Sequence, residues 1–86
     1  MPTAGTPHPG PLSIAIAEIL KQALAEAGAS QRRLGATVGI SQSQISKYLR
    51  AERVLDIDQL DALCFALGLN IVTVVREAEH AARSKR

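Results

Sequence analysis

An all-α fold of five short helices is what this sequence predicts, and three observations carry the prediction. Apolar residues return at i, i+3, i+4 and i+7 in successive segments, the spacing that lines one face of a helix. Gly28, Gly39 and Gly68 fall just past these apolar runs, where a helix end commonly turns left-handed. The composition is 47% hydrophobic but only 2% aromatic, from one Tyr and one Phe, so the core must be built from Leu, Ile, Val and Ala. Eighty-six residues make one small domain, marginally stable on its own.

The elements follow in order. All four prolines lie in the first eleven residues, together with Gly5 and Gly10, so residues 1–12 are expected to be a disordered, inert tail. Ser13 is expected to cap a first helix over Ile14 to Ala27, with Ile16, Ile19, Leu20 and Leu24 turned inward. Ser30 caps a second helix, Gln31 to Val38, with Leu34 and Val38 as its inward pair. Ser41 caps a third, Gln42 to Leu49, with Ile45, Tyr48 and Leu49 inward. After a polar bend from Arg50 to Asp56, the spacing of Leu60, Leu63, Cys64 and Leu67 defines a fourth helix. The last segment reads two ways. Asn70 can cap a helix whose buried face is Ile71, Val74, Val75, Ala78 and Ala82. Yet Ile71 to Val75 is five consecutive β-branched residues, which by propensity favours a strand, and that strand could pair between subunits. The folded domain is expected to span residues 13–83, with 84–86 a frayed basic end.

Several classes of function are excluded on chemistry. One cysteine makes no internal disulfide, and with two distant histidines it forms no zinc-ligand set. Asp56, Asp58 and Asp61 lack the rest of a calcium loop and read as helix-start residues. His8 and His80 have no partner at triad spacing, and no glycine loop cradles a phosphate, so catalysis has no support and no cofactor or metal is expected. No apolar run approaches the roughly 18 residues of a membrane span, and the Pro-rich, uncharged N-terminus does not suit a signal peptide. The expectation is a reduced, cytoplasmic protein. Cys64, on the apolar face of the fourth helix, reads as a buried small hydrophobe.

The informative stretch is Gln31 to Arg50, QRRLGATVGISQSQISKYLR. Two short helices are joined by a tight turn whose Gly39 supplies a positive φ, and Ile40 is an apolar plug between them. Gly35 is small where the second helix must approach the third. The outer positions of the third helix and its flanks, Ser41, Gln42, Ser43, Gln44, Ser46, Lys47 and Arg50, contain no carboxylate. Amides, hydroxyls and cations match base edges and phosphates, whereas an acid there would repel the DNA backbone. Residues 31–53 hold five cations (Arg32, Arg33, Lys47, Arg50, Arg53) against Glu52 alone, while 54–70 hold three Asp and no cation. A net charge of +2 therefore hides a one-sided basic face.

With these residues in view, the segment resembles the helix-turn-helix of the lambda-repressor-like family, also called the Cro/repressor or XRE type. The resemblance rests on Gln31, Leu34, Gly35, Val38, Gly39, Ile40, Ser41-Gln42-Ser43, Ile45 and Tyr48, and with the flanking helices it covers about residues 14–83. Alanine is usual at the small position, so Gly35 is a departure, costing about 1 kcal/mol of helical preference. The resemblance implies residue roles. Gln42, Ser43, Ser46 and Lys47 would meet base edges; Gln31, Arg32, Arg33, Ser41, Arg50 and Arg53 would meet phosphates, with Gln31 alternatively bracing the Gln42 amide. The tail has no cation before Lys21, so no basic arm is expected.

The function expected is a sequence-specific regulator of transcription, a small phage-type or XRE-type repressor that binds double-stranded DNA in the major groove. A homodimer on a pseudo-palindromic operator is expected, with Ile71, Val74, Val75, Ala78 and Ala82 as its interface. A competing reading is an antitoxin-like subunit that neutralises a protein partner and binds DNA only for autoregulation. The short stretch beyond the fifth helix weighs against that.

Overall fold

The computed structural model describes residues 8–84. The expectations for residues 1–7 of the tail, and for Lys85 and Arg86 at the basic end, lie outside the described residues. Five helices follow one another: α1 Pro11–Ala27, α2 Gln31–Val38, α3 Gln42–Leu49, α4 Ile57–Ala66 and α5 Ile71–Ser84. α2 and α3 form a tight pair; α2 leans on α4, while α1 runs against both α3 and α5. Leu20 and Leu24 of α1, Leu34, Ile45, Leu49, Leu60, Leu63, Cys64 and Val74 meet in one core with a member from every helix.

Local chemistry sets the helix boundaries. Ser30 Oγ accepts from Arg33 N at 3.0 Å and Ser41 Oγ from Gln44 N at 3.2 Å, each satisfying a donor the first turn leaves free. At α4, Asp56 Oδ1 accepts from Gln59 N at 2.7 Å while Asp56 N donates to Gln59 Oε1 at 3.2 Å, a reciprocal box. The same Gln59 oxygen accepts from Tyr48 Oη at 3.2 Å, which joins the inner face of α3 to the start of α4. Helices α1, α3 and α4 end in the same pair of backbone bonds around a left-handed residue. That residue is Gly28 after α1 and Gly68 after α4. After α3 it is Ala51, at φ 57.

Two expectations are corrected, at the start of α1 and on the inner face of α5. α1 starts at Pro11, not Ile14, and its N-cap is Gly10 rather than Ser13. Proline suits a first helical position, where its missing N–H has no partner to lose. Of the two readings of Ile71 to Val75, the helix is the one the structure has. Asn70 Oδ1 caps it by accepting from Thr73 N at 3.0 Å, and packing on α1 outweighs β-branched propensity. Val74, Ala78 and Ala82, expected at a dimer interface, are 2%, 0% and 4% exposed, so in the single chain they belong to the core rather than to an open surface. Ser84, placed with the basic end, is the last residue of α5, and its hydroxyl donates to the His80 carbonyl at 2.9 Å.

No single helix among the described residues is long and apolar enough to cross a membrane.

Candidate nucleic-acid interface

The site is built from the turn outward. Gly39 takes φ 74, which ends α2 and redirects the chain, and Ile40 N returns to the Gly35 carbonyl at 2.9 Å. Ile40 is half-buried against the core, as a plug between two helices requires. Gly35 is buried, and a Cβ there would run into the backbone carbonyl of Ile40. The alanine expected from the family's pattern therefore does not fit this turn as it stands. Glycine allows α2 and α3 to close on each other.

Ile45, Tyr48 and Leu49 bury the inner face of α3. The opposite face carries Gln42, Ser43 and Gln44, all exposed, with Ser41 exposed at the cap and Ser46 and Lys47 half-exposed further along. The residues singled out for base edges thus share one surface. It presents amides, which can both donate and accept, beside hydroxyls and an ammonium group. Ser41 uses its oxygen as the helix cap and keeps its hydroxyl proton for another acceptor.

The cations are less uniform than the sequence suggests. Arg32, Arg33, Lys47 and Arg53 make no ion pair among the described residues. Arg50 does: its Nε lies 2.8 Å from Glu52 Oε2, and its Nη1 donates to Ser46 Oγ at 2.6 Å. The Glu52 hydrogen bond and charge raise the Arg50 pKa above its ordinary value, and the Arg50 bond holds Glu52 below the usual carboxylate range. Arg53 lies beside Ser13, Ile16 and Tyr48, around a small cavity of about 40 Å³ between α1 and the end of α3. Gln31 is half-buried at the start of α2, and no hydrogen bond joins it to Gln42 among the described residues.

Sequence reasoning missed Glu52, Ala51 and Gln59. Arg50 and Glu52 stand two residues apart in a segment whose sequence reads only as a polar bend, so they were not an evident pair. Only the left-handed turn at Ala51 brings them together. Cys64 is buried at 1% exposure, and burial, with Asp61 adding to it, pushes its thiol pKa up, the opposite of a reactive cysteine. Among the described residues, no three His, Cys, Asp or Glu side chains come together as a metal site.

A tight pair of helices, a glycine turn between them and an acid-free polar face on the second define a helix-turn-helix protein that binds double-stranded DNA. The chain belongs to the XRE-type helix-turn-helix family, whose sequence model, described as Helix-turn-helix, matches residues 20–74. Two solved structures of the clp gene regulator ClgR from Corynebacterium glutamicum are similar to it. One shares 25% identity at a TM-score of 0.80, covering 92% of this chain and 83% of that one. The other shares 26% at a TM-score of 0.74, covering 80% of this chain and 90% of that one. No curated protein matches the sequence. The chain is a DNA-binding transcriptional regulator.

Proposed function

We propose that this regulator is a repressor that lays α3 in the major groove of a pseudo-palindromic operator and acts as a homodimer. The observation that carries the reading is the outer face of α3, where amides, hydroxyls and an ammonium group are exposed without a single carboxylate. Gln42 is the leading base reader, since a carboxamide can bond the adenine edge in bidentate fashion; Ser43, Ser46 and Lys47 extend the contact. Gln31, Arg32, Arg33, Ser41 and Arg53 hold phosphates, helped by the free N–H groups at the start of α2.

Because Val74, Ala78 and Ala82 are buried within the chain, our reading assigns the dimer contact to the other side of α5. Ile57 and Val72 are 66% and 60% exposed, and with half-buried Ile71 and Val75 they line a shallow groove of about 450 Å³. Arg76 and Glu79 border it, opposite charges one turn apart on one helix. Two copies related by a two-fold axis can set Arg76 of each against Glu79 of the other, the self-complementarity a symmetric interface needs. To read half-sites one helical turn apart, such a dimer must hold its two α3 helices about 34 Å apart.

Selection of bound duplexes from a random DNA pool at about 150 mM salt tests the reading, because non-specific binding is weak there. The expected result is a two-fold-related motif with half-sites about 10 bp apart. Salt-sensitive binding with no motif would overturn it.

A further inference from the structure

Arg50 and Glu52 flank Ala51, whose left-handed backbone folds the chain back so that their side chains meet. Glu52 N donates to the Lys47 carbonyl at 2.8 Å and Ala51 N to the Tyr48 carbonyl at 3.0 Å, so the turn is held by the backbone of α3 itself. Across it, Arg50 Nε donates to Glu52 Oε2 at 2.8 Å and Nη2 to Oε1 at 3.2 Å, a two-point contact along one edge of the guanidinium. Nη1 donates to Ser46 Oγ, one turn back on α3. A guanidinium has five N–H donors. Three are engaged, and the two that remain sit one on each terminal nitrogen.

This arrangement separates the charge of Arg50 from its hydrogen-bonding capacity. The Glu52 carboxylate already matches the charge, so a phosphate has little to gain from it and little counter-ion is released on contact. The two remaining donors lie on the two terminal nitrogens of a planar fork, the nitrogens through which a guanidinium can bond O6 and N7 of guanine. Resting on the reading of α3 as the groove-inserted helix, we propose that Glu52 is a positioning residue that converts Arg50 from a phosphate clamp into a reader of a guanine edge. Ser46 is the second brace, holding the guanidinium along α3.

The test uses the whole chain in four forms: wild type, Arg50→Ala, Glu52→Gln, and Glu26→Gln as a charge change on α1 away from the turn. Each is put through duplex selection, then titrated on its best duplex and on a random one across about 50 to 200 mM salt. Wild type should demand guanine at one position of each half-site. Arg50→Ala should lose that preference and about tenfold to a hundredfold in affinity for the guanine-bearing duplex, with the salt slope unchanged. Glu52→Gln should relax the preference and steepen the slope by about 0.9, as the released cation finds a phosphate. Glu26→Gln should match wild type in both. Arg50→Ala that weakens every duplex equally and lowers the slope by about 0.9 would overturn the proposal, as would Glu52→Gln with slope and preference both unchanged. If wild type selects a motif and only these variants disagree, this proposal fails alone. If wild type selects none, the reading of α3 fails and takes the proposal with it.

Discussion

Two small residues bracket α3, and each is set by backbone geometry rather than by side-chain contact. At Gly35 the constraint is space: a Cβ would meet the Ile40 carbonyl, and a backbone atom cannot step aside as a flexible side chain does. Propensity alone says that Gly35→Ala should stabilise α2 by about 1 kcal/mol. The close approach reverses the sign, and a net loss of about 1–3 kcal/mol in urea unfolding is expected, as for overpacking in other tight interiors. At Ala51 the constraint is the torsion angle, since φ 57 strains any residue with a Cβ. Ala51→Gly should therefore raise stability by about 1 kcal/mol in the same measurement, the relieved strain exceeding the entropy glycine adds to the unfolded chain. A result with the two signs exchanged would mean that the α2–α3 turn and the α3 exit are not shaped as described.

At the scale of the helix, one side-chain hydrogen bond ties the inner face of α3 to the start of α4. Gln59 serves both, accepting from Tyr48 Oη and from Asp56 N. Asp56→Ala removes the carboxylate of that box and should cost about 1 kcal/mol, read as a lower thermal midpoint. Its DNA preference should stay as in wild type, because Asp56 is absent from the acid-free face. The outer face of α3 behaves in the opposite way. Gln42→Ala should leave the thermal midpoint within error, since the side chain is exposed. It should cost about 1–3 kcal/mol in operator binding and relax selection at one position. Paired with Lys47→Ala, it should abolish operator binding, and a double variant that keeps full affinity and preference would remove α3 from the DNA interface.

For the whole molecule, the distribution of apolar surface sets the expectation. The interior accounts for one side of α5, yet Ile57, Val72 and Phe65 remain outside, Phe65 at 86% exposure. Val72→Asp places a charge in the groove between α4 and α5, and an acid in the first turn of a helix favours its macrodipole. The variant should fold as stably as wild type but sediment as a monomer. Its operator affinity should fall toward that of a single half-site. A Val72→Asp chain that sediments as a dimer would place the subunit contact elsewhere.

Most of the fold was legible in the linear chain, because its signals are local. Apolar spacing, the serine caps and the glycine stops each act within one or two helical turns, and so they place α2 and α3 with the bounds the structure has. The acid-free run from Ser41 to Ser46 is equally local, which is why the face of α3 could be read before its surroundings were known. What needed the tertiary structure is whatever depends on a neighbour distant in sequence or on a torsion angle. Spacing marks Ile71, Val74, Val75, Ala78 and Ala82 as one apolar set, but only the position of α1 sends Val74, Ala78 and Ala82 inward and leaves Ile71 and Val75 at the rim. Propensity alone leaves residues 71–75 between helix and strand, and the same packing decides for helix. Gly35 reads as merely small until the Ile40 carbonyl is placed against it, and Arg50 reads as a free cation until the turn at Ala51 delivers Glu52 to it. Periodicity shows that a surface will be covered; the covering partner is determined by how the helices pack.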